Sequence, residues 1–443
     1  MKAGVLKDGK TPGFLIAAPA SGSGKTVTTL ALLRAYRKRG RAVGSFKVGP
    51  DYIDPAFHTA ASGRACLNLD TWGMRARTIE SNLNTVAPDV DLVIGEGVMG
   101  LFDGASGGGG STADVAVTFD IPVVLVVDAS GQASSAAALV HGFDTFDSRL
   151  KLAGVIFNRI GGPKHREILQ SAMASRGTQV FGCIPRHDCL TLPERHLGLV
   201  QAQENGALEA FLDNAAQFVA EHVDLEALED LGAIPLTDPK TNHPPLRPLG
   251  QRIAVARDEA FAFAYPHVLD GWRNQGAVIT FFSPLADEAP QACNAIYLPG
   301  GYPELHAGKL ASNANFLDGI RFSARENLTI FGECGGYMVL GKGLVDADDK
   351  RHEMAGLLPL ETSFAARRLH LGYREVSLDD DHALGAKGSR FRAHEFHYAT
   401  IIREEGPEAL FSGTDSEGKS LGAFGRRIGT VTGSFIHLID QSD

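Results

Sequence analysis

The sequence predicts an α/β protein in two parts, the first a largely parallel sheet covered by helices. Three observations carry this expectation. Across residues 14–235 short β-rich runs alternate with helical stretches, the pattern of parallel strands joined by crossover helices. Pro235, Pro239, Pro244, Pro245 and Pro248 then crowd one short segment, which resists both helix and ladder pairing. A second alternation restarts at Ile253. The expected division is 1–235 for the first domain, 236–251 for a proline-rich linker and 252–443 for the second, within what 443 residues allow.

The predicted strands of the first domain are residues 14–18, 42–47, 92–96, 122–128, 152–158 and 179–184, with helices at 26–39 and 134–144 among those between them. The first dozen residues are polar and read as a loose tail. Ligands of such sheets sit at the carboxyl ends of the strands, and the informative residues fall there. The first predicted strand runs into Pro19-Ala20-Ser21-Gly22-Ser23-Gly24-Lys25-Thr26. Gly22 and Gly24 let the backbone curl so that N–H groups point at phosphate oxygens, and the next helix adds the positive end of its dipole. Lys25 would reach the β- and γ-phosphates, and Thr26 would offer a hydroxyl to Mg²⁺. ATP is therefore expected at Gly22, Ser23, Gly24, Lys25 and Thr26, with Mg²⁺ beside it. Pro19 stands where the usual motif has a glycine, so this loop is a variant.

Carboxylates follow the next two predicted strands, in Lys47-Val48-Gly49-Pro50-Asp51-Tyr52-Ile53-Asp54-Pro55 and Gly95-Glu96-Gly97-Val98-Met99-Gly100-Leu101-Phe102-Asp103-Gly104. Glu96, at a strand end, is the first candidate Mg²⁺ ligand and Asp51 the second. Asp54 and Asp103 face the alternative of capping helices or closing turns. Asn158, at another strand end, is a candidate adenine contact. The run Ala105-Ser106-Gly107-Gly108-Gly109-Gly110-Ser111 reads as a lid or a mobile connection. Arg186, His187, Arg195 and His196 offer cationic groups further on, with solvated surface charge as the equal alternative.

With 44% apolar and 21% charged residues the composition is that of a soluble globular protein. The longest apolar runs, such as residues 121–127, are too short to cross a bilayer, and no secretory signal opens the chain. Five cysteines without a CxxC pair argue against a disulfide framework or structural zinc. A cytoplasmic protein without membrane association is expected. The formal charge of −10 disfavours nucleic acid as a partner.

The second domain carries a second chemistry. Gly332-Glu333-Cys334-Gly335-Gly336 follows a short apolar run and precedes a helical one, the nucleophile elbow with cysteine in place of serine. The helix N-terminus is expected to lower the thiol pKa. The N–H of Gly335 and that of Gly301, in Pro299-Gly300-Gly301, are candidate oxyanion donors. A cysteine nucleophile needs a base. His437, expected beyond the last strand, is the first candidate, with His394 and His397 as alternatives. The spacing of His394-Glu395-Phe396-His397 is one residue short of a zinc-protease motif, so zinc is not expected there.

Taken in order, Ser-Gly-Ser-Gly-Lys-Thr, Lys-Val-Gly-Pro-Asp-Tyr-Ile-Asp-Pro, Glu-Gly-Val-Met-Gly-Leu-Phe-Asp-Gly, Pro-Gly-Gly-Tyr-Pro-Glu-Leu, Gly-Glu-Cys-Gly-Gly-Tyr and His-Glu-Phe-His-Tyr make the chain resemble the cobyrinate and hydrogenobyrinate a,c-diamide synthases of cobalamin biosynthesis. The resemblance spans residues 14–440. It implies a first domain similar to dethiobiotin synthetase and a second domain of the class I glutamine amidotransferase kind, which is flavodoxin-like. It further implies Cys334 as glutaminase nucleophile, His437 as its partner, and Asp51, Asp54, Glu96 and Asp103 among the catalytic and metal-binding acids. Where many such amidotransferases have His-x-Glu, His437 is followed by Leu438 and Ile439, so the third triad member is missing or supplied elsewhere, with Glu395 and Asp440 as candidates to orient the imidazole.

A carboxylate is a poor electrophile, so the implied reaction phosphorylates it from ATP and displaces phosphate with ammonia. Cys334 would release that ammonia from L-glutamine through a thioester, and a sheltered route would keep it unprotonated. The expected substrate is a corrinoid polycarboxylic acid, hydrogenobyrinate or cobyrinate, the opening motifs leaning to the metal-free one. A homodimer is left open. The competing readings are a cobyric-acid-synthase-like enzyme, whose chains tend to be longer, and a P-loop ATPase switch, which has no need of a cysteine elbow.

Overall fold

The computed structural model describes residues 10–174, 177–192, 207–235, 244–406 and 408–442, with the two-residue strands at 194–195 and 198–199. Positions 236–243 of the expected linker, and Pro193 and His196, lie outside the described residues. The chain forms two compact units, Met1–Trp72 with Ile79–Lys240, and Gly73–Thr78 with Thr241–Asp443.

The first unit is built on seven parallel strands: β1 (Lys10–Ala17), β2 (Val43–Val48), β3 (Cys66–Leu69), β4 (Leu92–Glu96), β5 (Val123–Asp128), β6 (Leu152–Ile160) and β7 (Gln179–Pro185), in the order β3-β2-β4-β1-β5-β6-β7. Runs such as Val123-Val124-Leu125-Val126-Val127 are apolar throughout because helices cover both faces, so every side chain is buried. β3 has four residues and an asparagine at its centre, too little pattern to be predicted. The expected loose tail is corrected at its inner end. Lys10, Thr11 and Pro12 extend β1 by pairing antiparallel with Pro235, Ile234 and Ala233.

The order places β1 between β4 and β5, and its carboxyl end opens into the phosphate loop. Helix α1 (Lys25–Lys38) starts directly after Gly24, and Arg37 and Lys38 complement its other end. Helix α2 (Asp54–Ser62) has Pro55 in its first turn and stops at Gly63, whose φ of 77° suits a residue without Cβ. The glycine-rich run after β4 takes a defined shape. Ala105 and Gly108 donate main-chain bonds to Gly109 and Ala105, Gly110 donates to the Thr71 hydroxyl, and Ser111 caps the helix Thr112–Thr118.

The second unit contains a six-stranded sheet. Its five parallel strands run in the spatial order Val278–Phe282, Arg252–Ala256, Ala295–Leu298, Thr329–Glu333, Val431–Ser434, and Arg426–Ile428 pairs antiparallel at the edge. An antiparallel five-stranded sheet orders Ser420–Phe424, Phe411–Asp415, His370–Leu378, Arg390–His397 and Ile436–Gln441. The chain leaves the first sheet at Ser434 and enters the other at Ile436, so His437 lies within a strand and not beyond the last one. Antiparallel register with Arg390–His397 sets it opposite His394.

Gly73–Thr78 belongs to this unit. Arg75 is bound there by Asp440, whose carboxylate accepts from its main-chain N–H at 2.9 Å and its Nε at 3.0 Å, while Nη2 also donates to the Pro244 carbonyl at 2.9 Å. Both side chains are buried, 8% and 0% exposed, so removing one partner strands a charge. Arg75→Ala is expected to lose about 3–5 kcal/mol of stability. Denaturant unfolding checks this, and a loss below about 1 kcal/mol, the scale of an exposed pair, would contradict it.

Candidate active sites

At the end of β1 the loop curls through Gly22 (φ 79°) and Gly24 (φ 93°) as expected. A Cβ on Gly24 would stand 2.1 Å from Asn158 Nδ2, so only glycine admits the strut that holds the loop. That strut is Asn158, whose Nδ2 donates to the Ser23 carbonyl at 2.9 Å. Arg159 adds a second brace, donating to the Gly22 carbonyl at 2.9 Å while paired with Asp128. The Ser23 hydroxyl turns back to the Ala20 carbonyl at 2.8 Å.

Parallel register brings Ile16, Glu96 and Lys47 side by side. Glu96 is fully buried and accepts from the Thr26 hydroxyl at 2.6 Å and Lys47 Nζ at 2.8 Å on Oε1, with His58 Nε2 at 2.7 Å from Oε2. Lys47 also binds Asp54 at 2.6 Å. Burial alone would raise the Glu96 pKa, but Lys47 and His58 outweigh it and hold the group ionised. For Lys47 burial likewise works against charge, and Asp54 and Glu96 reverse it. Burial and the Asp51 charge lift Asp54 to about 6 against the pull of Lys47. Lys25 is buried too, with no acidic side chain bonded to it among the described residues, and burial followed by Lys47 lowers its pKa.

The remaining acids sit differently. Asp51 Oδ1 accepts the main-chain N–H groups of Ile53 (2.7 Å) and Asp54 (3.0 Å), fixing the entry to α2. Asp103 is exposed and accepts the Gly100 N–H at 2.9 Å, closing its own turn. Sequence reasoning did not single out Lys47, His58 or Arg159. Lys47 was legible as a lysine ending a strand, whereas the roles of His58 and Arg159 depend on tertiary placement.

In the second unit Cys334 links the strand Thr329–Glu333 to the helix Gly335–Leu340 with φ 46°, a left-handed value that the elbow forces on a residue with a Cβ. Its N–H donates to the Ser434 carbonyl at 2.8 Å, tying the turn to the strand before His437. A Cβ placed on Gly300 would meet His437 Cε1 at 2.4 Å, and the Cys334 Cβ and His437 Nε2 at 3.3 Å each, so the cysteine and the imidazole both border that glycine, with the sulfur 3.9 Å from the Phe396 carbonyl. A Cβ on Gly335 would lie 3.0 Å from the Gly301 nitrogen, which brings the two candidate oxyanion donors together.

The expected thiolate is corrected. Burial pushes the Cys334 thiol well above its usual range, Glu304 adds to this, and the Gly335 N–H offsets only part. Burial, then His394 and His397, push His437 down to about 3. The resting pair is a thiol beside a neutral imidazole, so a base has to take the proton during attack. Of the two acids considered for orienting that ring, Asp440 is taken by Arg75, and Glu395 is shared between Arg374 at 2.7 Å and His397 at 3.1 Å. His370, Glu395 and His397 bring donor atoms within 4.8 Å of one another, but the two rings stack only 5° from parallel, so one ion cannot lie in both ring planes.

Comparison with known families gives two matches. Residues 14–200 match the CobQ/CobB/MinD/ParA nucleotide binding domain, and residues 252–443 match the CobB/CobQ-like glutamine amidotransferase domain. A relative from Brucella abortus biovar 1, named hydrogenobyrinate a,c-diamide synthase, is 54% identical over 97% of this chain and 99% of its own. Relatives of the same name from Rhizobium meliloti and Rhodobacter capsulatus are 54% and 51% identical over 97% and 96% of this chain, and over 100% and 98% of their own. With a phosphate loop in one unit and a thiol elbow in the other, and with relatives matched end to end, the chain belongs to the hydrogenobyrinate a,c-diamide synthase family of CobB/CobQ-like glutamine amidotransferases.

Proposed function

We propose that this chain catalyses the ATP- and glutamine-dependent amidation of the a- and c-side-chain carboxylates of hydrogenobyrinic acid. The observation that carries the reading is the pairing, in one chain, of a Lys47–Glu96–Thr26 cluster at a phosphate loop, its lysine and glutamate buried, with a cysteine at a strained elbow near a neutral imidazole. The names of relatives matched over nearly their whole length support the substrate.

In the first unit a substrate carboxylate oxygen attacks the γ-phosphorus of ATP and ADP leaves. Lys25 and the loop N–H groups neutralise charge on the transferring group. Thr26 and Glu96 present a hydroxyl and a carboxylate 2.6 Å apart, hard oxygen donors that fit Mg²⁺, with Asp51, whose charge acts on Lys25 of the same loop, as a further donor. Bound there, the ion would supply positive charge that offsets the negative charge of the transferring phosphoryl group. Asp54, held by Lys47, and Asp103 are the acids assigned to the substrate side, and Asn158 keeps the loop in shape beside the base.

In the second unit His437 takes the Cys334 proton as sulfur attacks the glutamine amide carbon. The N–H groups of Gly301 and Gly335 receive the oxyanion, and the imidazolium returns the proton to the leaving ammonia. Water then hydrolyses the thioester to glutamate. Ammonia attacks the acyl phosphate, phosphate leaves with the C–O bond, and a proton is lost. The cycle repeats on the second side chain. We place the enzyme in the cytoplasm, and sedimentation at micromolar concentration tests whether it is a homodimer.

The test offers purified enzyme hydrogenobyrinic acid and its cobalt-containing counterpart, cobyrinic acid, side by side with ATP and glutamine. Diamide from the metal-free acid supports the reading. Turnover of cobyrinic acid alone would move the assignment to the cobalt-containing acid, and turnover of neither would overturn a,c-diamide synthesis by this chain.

A further inference from the structure

We propose that Glu333 is a positioning residue that holds the imidazole of His437 against the Cys334 thiol and so sets the rate of glutamine hydrolysis. The inference rests on reading Cys334 and His437 as the glutaminase pair.

Glu333 is the last residue of the nucleophile strand and is 2% exposed. Its Oε2 accepts the Tyr297 hydroxyl at 2.6 Å, and its Oε1 accepts the main-chain N–H of Leu438 at 3.0 Å. Those two donors belong to the elements that complete the site. Tyr297 lies on Ala295–Leu298, the strand that runs into Pro299-Gly300-Gly301 and its candidate oxyanion donor. Leu438 directly follows His437 in a strand of the other sheet. One carboxyl group therefore ties together the backbone at the nucleophile, the base and the oxyanion loop.

The choice of a carboxyl is informative. Among the described residues no Lys, Arg or His forms an ion pair with Glu333, and its surroundings are apolar and aromatic. Trp272 packs edge-on against Tyr297 with ring centres 5.4 Å apart, and Phe331 stacks on it at 5.9 Å. Burial pushes the Glu333 pKa up to about 7, with the Tyr297 and Leu438 hydrogen bonds pulling the other way. A leucine would fill this space without that desolvation cost. What it would lose is the bond across the break at Phe435, where the chain changes sheets and backbone ladder pairing is interrupted. Without the anchor, the strand carrying His437 can drift relative to the elbow, and a displacement near 1 Å costs about 10²-fold in rate.

Three variants test this: Glu333→Leu removes both bonds, Glu333→Gln keeps an acceptor for Leu438 and a partner for the Tyr297 hydroxyl, and Tyr297→Phe removes one bond. Glutaminase kcat and KM, ammonia-dependent amidation and unfolding midpoints are measured on the full chain. In Glu333→Leu the kcat for glutamine is expected to fall about 10²-fold, with the KM for glutamine and ammonia-dependent amidation near wild type. Glu333→Gln should recover most of the rate, and Tyr297→Phe should lose several-fold in kcat. A folded Glu333→Leu with wild-type kcat would overturn the proposal, as would loss through KM alone. If Glu333→Leu does not fold, Tyr297→Phe decides: an unchanged kcat overturns the assignment. Should Cys334→Ser still hydrolyse glutamine, the reading of the pair itself fails, an outcome distinct from these.

Discussion

Cys334→Ser is expected to lower glutamine-dependent amidation by about 10³-fold or more and to leave ammonia-dependent amidation at its wild-type rate. In the proposed mechanism the sulfur attacks the glutamine amide, and a serine hydroxyl at the same elbow is a far poorer nucleophile. In that mechanism the acyl-phosphate chemistry falls to Lys25, Thr26, Glu96 and Lys47, which lie in the other unit, and does not involve the sulfur. Steady-state rates with each nitrogen donor, on protein shown to be folded, check both halves. Loss of both activities in a folded variant would contradict separable centres. The electrostatics add a pH expectation. Because burial and neighbouring rings push His437 down to about 3, its neutral form persists well into acid. The acid limb of kcat/KM for glutamine should lie below about pH 5, whereas a histidine of ordinary pKa would place it near 6.5.

Lys25→Met is expected to abolish amidation with either nitrogen donor, by about 10³-fold, because its ammonium offsets charge on the transferring phosphoryl group. Glutamine hydrolysis by Cys334 and His437 should continue. The stability consequence runs in an uncommon direction. Lys25 is buried with no bonded carboxylate among the described residues, and burial lowers its pKa, so keeping it charged opposes folding at neutral pH. Removing it should leave the unfolding midpoint unchanged or higher. Lys47 has the opposite balance. Asp54 and Glu96 raise its pKa against burial, so Lys47→Met strands two buried carboxylates and should lose about 3–5 kcal/mol. Thermal and denaturant unfolding of the two variants separate these cases, and a strongly destabilised Lys25→Met with normal amidation would contradict the assignment.

What the sequence made legible is what local geometry dictates. Gly22 and Gly24 announced a loop needing left-handed φ, and both adopt it. Cys334 between glycines announced a strained elbow, and its φ of 46° meets that expectation. What stayed hidden depends on register between distant strands. Glu96 was visible as an acid at a strand end, but its partners are set by the alignment of β1, β4 and β2, which no local pattern encodes. His58 comes to Glu96 from helix α2 for the same reason. His437 looked like a residue past the last strand because the change of sheet at Phe435 leaves each flanking strand short. The thiol pKa was misjudged because the benefit of a helix N-terminus is visible in sequence, whereas burial is a property of the assembled fold and here outweighs it.

The central claim is that nitrogen released at Cys334 becomes the amide nitrogen made at the phosphate loop. The most direct measurement supplies L-glutamine labelled with ¹⁵N in its side-chain amide, together with ATP and hydrogenobyrinic acid, and weighs the product. Both amides should carry the label in the wild type, whereas Cys334→Ser should yield labelled diamide only from ¹⁵N-ammonia. Labelled product from glutamine in that variant, or unlabelled product in the wild type, would contradict the account.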